Sequence, residues 1–227
     1  MNIGGGAALD GERAAMLRDI EEEIALTRRA IGKEAFAPEV MAAMAQVPRE
    51  RFVPETHRYL AFANGPLPIG HGQTISQPYI VALMTDLLAP RPDAVILEIG
   101  AGSGYQAAVL AEIVRQVYTI EIVGALAETA RERLAALGYA NVAVRHADGY
   151  GGWPEHAPFD GIVVTAAAPA VPPPLLEQLK PGGRLVVPVG LAGDIQQLRL
   201  IEKRPDGGID SRDVLPVAFV PLTRTLR

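Results

Sequence analysis

The amino-acid sequence predicts an α/β protein: a mostly parallel, doubly wound sheet with antiparallel strands added at one edge and helices ahead of it. Three observations lead there. From Asp93 onward, short apolar runs alternate with helical stretches, the pattern of right-handed βαβ units. A glycine-rich turn, "EIGAGSGY", joins the first of these strands to the helix after it. Beyond Gly193 the texture shifts to two strand-like segments around "PDGG", which reads as a hairpin.

The elements follow in order. Residues 1–11 are expected to be a flexible tail and residues 12–227 one domain. Within it, 12–92 hold N-terminal helices and a loop, and 93–227 hold the sheet core and its edge strands. Residues 12–33 form an amphipathic helix, because Leu17, Ile20, Ile24 and Ile31 recur at helical spacing with Glu21, Glu22 and Glu23 between them. A short helix follows Pro38, and residues 65–72 are loop. Pro78 opens a helix that ends near Leu88, since proline is favoured at the first helical position and "APRP" cannot continue it.

"AVILEIG" is apolar along its length, as suits a strand covered on both faces. A helix runs from Tyr105 to about Arg115, and "VYTIEI" is the second strand of the core. Residues 124–137 are helical, with Leu126, Ala130, Leu134 and Leu137 turned inward. "NVAVRHAD" and "FDGIVVTA" are strands. The turn "APAVPPP" leads to a short helix in "LLEQLK", and "GGRLVVPVG" is the last parallel strand.

Bulk properties remove several classes of function. The chain has 227 residues, enough for one full-sized core, and 49% of them are hydrophobic. The formal net charge of -5 does not favour a polyanion, so no nucleic-acid partner is expected. With no cysteine, thiol catalysis and disulfides are excluded, and a reducing compartment, the cytoplasm, fits. No apolar run is long enough to span a membrane, and the N-terminus lacks a signal-peptide pattern. His57, His71, His146 and His156 show no ligand spacing, so no metal is expected. The chain is taken to be a monomer.

The glycine turn lies where a nucleotide cofactor rests in such sheets, outside the carboxyl ends of the strands. Its glycines are Gly100, Gly102 and Gly104, a G-x-G-x-G pattern, and Tyr105 stands where a dinucleotide fingerprint has its third glycine. That disfavours NAD and ATP and suits a smaller cofactor without phosphate. Glu121, at the end of the second core strand, can accept from both ribose hydroxyls; otherwise it is a solvated strand-end charge. Asp148, after the third, can accept from an adenine amino group; otherwise it is an Asp-Gly turn residue. Together with the glycine turn they fit S-adenosylmethionine. A second stretch, "GHGQTISQPYIVALM", carries no Asp, Glu, Lys or Arg. Its Ser76 is either a cap for the helix opened by Pro78 or the floor of a site that receives a charge from outside.

These features combine with "RERFVP", "ANGPLPIG", "GQTISQPY", "FDGIVVTAAAPAVPPPLLEQLKPGGRLVVPVG" and the terminal "VAFVPLTR". From about Phe36 to Arg224 the chain resembles the protein-L-isoaspartate (D-aspartate) O-methyltransferases, EC 2.1.1.77, the Thr-Ile-Ser-x-Pro segment being the specific part. The resemblance implies a Rossmann-like class I methyltransferase. It would pass a methyl group from S-adenosyl-L-methionine to the side-chain carboxylate of isoaspartyl and D-aspartyl residues in damaged proteins or peptides. S-adenosyl-L-homocysteine is the product, and the methyl ester starts repair. It also implies that Ser76 is the active-site serine, with Thr74, Ile75 and Gln77 near cofactor and substrate. Gly100, Gly102, Glu121, Asp148 and Gly149 would hold the cofactor, and Thr223 belongs to the segment that closes the site. Where some members carry histidines after Ser-x-Pro, this chain has Tyr79, Ile80 and Val81.

The chemistry asks little more. A model aspartate has a pKa of about 3.9, so the acceptor is already ionised at neutral pH and no general base is required. What the enzyme must supply is alignment of the reacting atoms. A neutral hydroxyl and backbone N–H groups orient a carboxylate without damping it as an ion pair would. Three rivals stand beside this reading: a methyltransferase for RNA or a small molecule, a non-catalytic binding module, and a nicotinamide dehydrogenase, which Tyr105 disfavours.

Overall fold

Alternate side chains of the central strands enter two different cores, and this sorting sets the layers. The computed structural model describes residues 4–191 and 193–225. It opens with helices α1 (Gly4–Ile31) and α2 (Pro38–Gln46), then a hairpin of β1 (Leu67–Gly70) and β2 (Gln73–Ile75), then α3 (Pro78–Leu88). The main sheet takes β3 (Val95–Ile99), β4 (Gln116–Glu121), β5 (Val142–His146), β6 (Phe159–Val164), β7 (Leu179–Val189), β8 (Gln196–Lys203) and β9 (Ile209–Val217). Between its strands lie α4 (Tyr105–Ala111), α5 (Gly124–Ala136) and α6 (Pro173–Glu177).

On β3, Ile96 joins the core under α1 to α4, while Leu97 and Ile99 join the opposite core with Leu175 of α6. The same division places Val186 of β7 on one side and Leu185 and Val187 on the other. A strand buried on both faces must be apolar at nearly every position, which is why these segments lack a polar alternation.

The strand order is β5-β4-β3-β6-β7-β8-β9. Pairings from β5 through β7 are parallel, and β8 and β9 add antiparallel to one edge. The chain reverses its direction of winding between β3 and β6, so the crevice of the sheet opens above those two strands.

Several boundaries differ from the sequence expectation. Helix α1 starts at Gly4, inside the segment expected to be a tail; residues 1–3 lie outside the described residues. Leu9 packs against the core two turns before the buried Met16 and continues the apolar stripe, which the surrounding glycines mask in the sequence. Residues 65–72, expected to be loop, contribute β1 and the turn into β2. Helix α4 stops at Ala111 because Asn141 Nδ2 donates to the free carbonyls of Ala111 and Val114.

The N-terminal helices are tied down by polar contacts as well as by burial. Asp86 of α3 is 1% exposed, bonded by Lys33 Nζ and accepting from the backbone N–H of Ala37 at 2.8 Å. Replacing Asp86 by Ala leaves a buried donor unmatched. It should cost about 1–3 kcal/mol of unfolding free energy, read from urea denaturation; an unchanged midpoint would show that the joint carries no stability.

Candidate active site

The site is built from three turns that meet above β3 and β6. The first leaves β3 at Gly100. Its N–H and that of Ala101 donate to the carbonyl of Ile120, at 2.8 and 3.2 Å. Gly100 has φ 100°, and a Cβ there would lie 2.4 Å from Thr165 Oγ1. Thr165, just past β6, fills that space and donates to the Gly100 carbonyl at 2.6 Å. Glycine is required on both counts, conformation and room.

The second turn follows β4 and is locked to the first by Glu121. One carboxylate oxygen accepts from the Gly102 N–H at 2.7 Å and the other from the Val123 N–H at 2.9 Å. Each oxygen keeps a further acceptor direction. The third is the β2–α3 segment, of which Thr74 to Ser76 lie over the cleft with Val220 to Thr223 of the C-terminal segment. That segment is held by Ala167, whose N–H donates to the Val220 carbonyl and whose carbonyl accepts from the Leu222 N–H, both at 2.8 Å.

The empty space in and above the cleft so formed is about 820 Å³, open solvent included. Of the residues expected to act, it brings together Thr74, Ile75, Ser76, Gly100, Gly102, Glu121, Gly149 and Thr223. Gln77 and Asp148 stand apart. Gln77 Nε2 donates to Glu23 of α1 at 2.8 Å. Asp148 accepts from the Tyr150 N–H at 2.9 Å and faces Arg224 Nε at 3.3 Å, the geometry of a turn cap. Ser76 does not cap α3: the capping position is Gln77, and no side chain bonds there.

A second groove adjoins the first. It runs between α1, through Glu23 and Thr27, and the stretch from Leu215 to Val220. Thr74, Ser76, Thr165 and Val220 line both spaces, so the serine stands at their junction. The sequence did not single out Thr165, the two α1 residues, or Arg49, which is fully buried behind the Ser76 loop. Thr165 directly follows the end of β6, as Glu121 ends β4, and that position was its available signal.

Beneath the glycine turn lies Glu98 of β3, 0% exposed, with neither oxygen hydrogen-bonded. Burial pushes its pKa up to about 8, with the charge of Glu121 adding to the effect. The carboxyl is therefore held neutral at pH 7.

The donor set of the cleft fits the expected cofactor. Among the described residues that line it there is no Lys, Arg or His, and Glu121 is the single carboxylate. Such a surface offers no counter-charge to a phosphate, but offers acceptors to hydroxyl groups and tolerates a cation.

A doubly wound sheet with this glycine turn, an acid at the end of the neighbouring strand and a lining without cations fits a class I methyltransferase. Comparison with known proteins narrows the class. The sequence profile of protein-L-isoaspartate(D-aspartate) O-methyltransferase (PCMT) matches residues 23–227, and the chain belongs to that family. Protein-L-isoaspartate O-methyltransferase 2 of Syntrophobacter fumaroxidans is 62% identical over 221 residues, 96% of this chain and 90% of that one. A solved protein-L-isoaspartate O-methyltransferase superposes with a TM-score of 0.81 at 27% identity, covering 94% of this chain and 67% of the other. A candidate protein-L-isoaspartate O-methyltransferase of Plasmodium falciparum, solved in complex with S-adenosyl-L-homocysteine, gives 0.72 at 26% identity, over 91% and 97%.

Glu121→Gln places an amide where two backbone N–H groups need acceptors. Affinity for S-adenosyl-L-homocysteine, measured by calorimetry, should fall at least tenfold; an unchanged value would remove Glu121 from the cofactor site. Glu98 generates a pH prediction. Its folded-state pKa lies above the ordinary 4.5, so the folded protein holds the extra proton between those values. Its contribution to stability is complete below about pH 4.5 and declines as pH rises towards 8, by up to about 1.4 kcal/mol per pH unit. Denaturation curves at pH 5.5 and 8 should show that decline, and Glu98→Gln should flatten it.

Proposed function

We propose that this chain methylates the free carboxylate of L-isoaspartyl and D-aspartyl residues in damaged proteins, using S-adenosyl-L-methionine and initiating their repair. The observation that carries the reading is the position of Ser76, where the cleft under the glycine turn opens into the groove beside α1. The bound cofactor supplies a methyl group on a sulfonium centre.

Each residue then has a task. Gly100 and Gly102 bring backbone close to the cofactor, Glu121 accepts from its ribose, and Gly149 lines the far wall. Thr74, Ile75 and Thr223 close the cleft from above. Asp148 would exchange its contact with Arg224 for an adenine amino group. Gln77, held by Glu23, belongs to the wall of the second groove, where the damaged protein lies. Ser76 orients the acceptor carboxylate, and its hydroxyl has no hydrogen-bond partner among the described residues that would compete. No side chain needs to take a proton, because the acceptor is ionised at pH 7. Glu98, buried and neutral, stays out of the reaction.

The reading includes a monomer acting in the cytoplasm without a nucleic-acid partner; the formal charge of -5 supports the last. No described helix is long and apolar enough to cross a membrane.

Ser76→Ala tests the assignment. Methyl transfer to an isoaspartyl peptide should drop at least tenfold, while affinity for S-adenosyl-L-homocysteine stays within threefold. The wild-type protein should leave the matched aspartyl peptide unmethylated. Equal turnover by the variant would dismiss the role of Ser76, and equal turnover of both peptides would dismiss the substrate.

A further inference from the structure

Arg49 is the largest fully buried side chain of the described residues, at 0% exposure. Its Nε donates to the carbonyl of Ala61 at 2.8 Å and its Nη2 to the carbonyl of Ser76 at 2.7 Å. The guanidinium carbon stands 4.6 Å from the ring centroid of Tyr105, at the start of α4. Nη1 has no hydrogen-bond partner, and no carboxylate among the described residues forms an ion pair with the group. Glu50, next in the chain, keeps a buried oxygen unpaired as well.

A cation in this state is costly. A guanidinium does not shed its proton in a protein, and burial without a counter-ion forfeits hydration that two carbonyls and an aromatic face replace only in part. Burial accordingly lowers its pKa, with Tyr105 opposing the shift. An apolar residue in the same space would avoid the penalty. The placement explains what the cost secures: one peptide unit separates the charge from the junction of the two clefts.

We propose that Arg49 is the positioning residue of the Ser76 loop, anchoring it by the Ser76 carbonyl while its unpaired charge favours an anionic over a neutral side chain at the junction. This rests on the reading of the junction as the seat of the acceptor carboxylate. A guanidinium touching that carboxylate directly would hold its lone pairs and weaken it as a nucleophile. Set behind the loop, the same charge attracts the anion and leaves its oxygens free. It also bridges the two sides of the site, since Tyr105 continues from the glycine turn and Ser76 belongs to the opposite wall.

The test compares the wild-type protein with Arg49→Met and Arg49→Lys. Thermal melts check the fold, and calorimetry gives the affinity for S-adenosyl-L-homocysteine. Methyl-transfer kinetics use an isoaspartyl peptide, with the matching isoasparaginyl peptide, neutral and isosteric, as competitor. In Arg49→Met, KM for the isoaspartyl peptide should rise at least tenfold and cofactor affinity should move less than threefold. The preference for the acid over the amide should shrink at least fivefold. Arg49→Lys should recover that preference, keeping a smaller KM defect from its poorer hydrogen bonds. If the Met variant is not folded, Arg49→Gln, a donor without charge, replaces it in the comparison with Lys. A folded uncharged variant with the wild-type preference would overturn the inference, and so would a Lys variant no better than the uncharged one. A wild-type protein inactive on the isoaspartyl peptide would remove the functional reading and this inference together. An active wild type beside indifferent variants would remove this inference alone.

Discussion

The two hydrogen bonds accepted by Glu121 are the constraint from which the site follows. One joins it to Gly102 in the turn after β3 and the other to Val123 in the turn after β4. Loops at neighbouring strand ends have no ladder to hold them in register. A charged acceptor between two backbone donors gives them one, because such bonds are about twice as strong as neutral ones. Once these turns are fixed, the cleft has a rigid floor. The β2–α3 segment, bonded to Arg49 through the Ser76 carbonyl, and the C-terminal segment, bonded to Ala167, then lie over it.

Charge is distributed over the site by depth. The cleft surface offers a single carboxylate and no cation among its described residues. Behind one wall lies the Arg49 guanidinium and beneath the floor the neutral Glu98. On the proposed reading, an incoming carboxylate and a sulfonium would meet in a space whose own polar groups are mostly backbone and hydroxyl. Opposite charges attract more strongly where water is excluded, so such a site needs to contribute alignment more than further charge.

Much of this was legible in the sequence, and the limits have physical causes. The boundaries of α3 could be read because Pro78 starts it and "APRP" ends it. The glycine turn and Glu121 were legible because strand-end positions are set by local pattern, and the pattern of β3 and β4 is strong. Asp148 sits at the same kind of position, where a turn also needs a cap, and its carboxylate accepts from the Tyr150 N–H. The N-terminal start of α1 was hidden because three glycines lower helix propensity while Leu9 supplies a contact that only the folded core reveals. Arg49 lies within "RERFVP", a stretch whose pattern assigns it no role. Nothing in a run of two arginines and a glutamate tells which side chain turns inward, and burial of Arg49 depends on carbonyls 12 and 27 residues away.

The contact between Gly100 and Thr165 has a bearing on how the molecule comes together. The threonine occupies the volume that any side chain at Gly100 would need, and it joins the ends of β3 and β6, where the winding of the sheet reverses. The cleft and the middle of the sheet thus share one contact. A side chain at Gly100 would therefore press on the join between β3 and β6 as well as on the cleft wall.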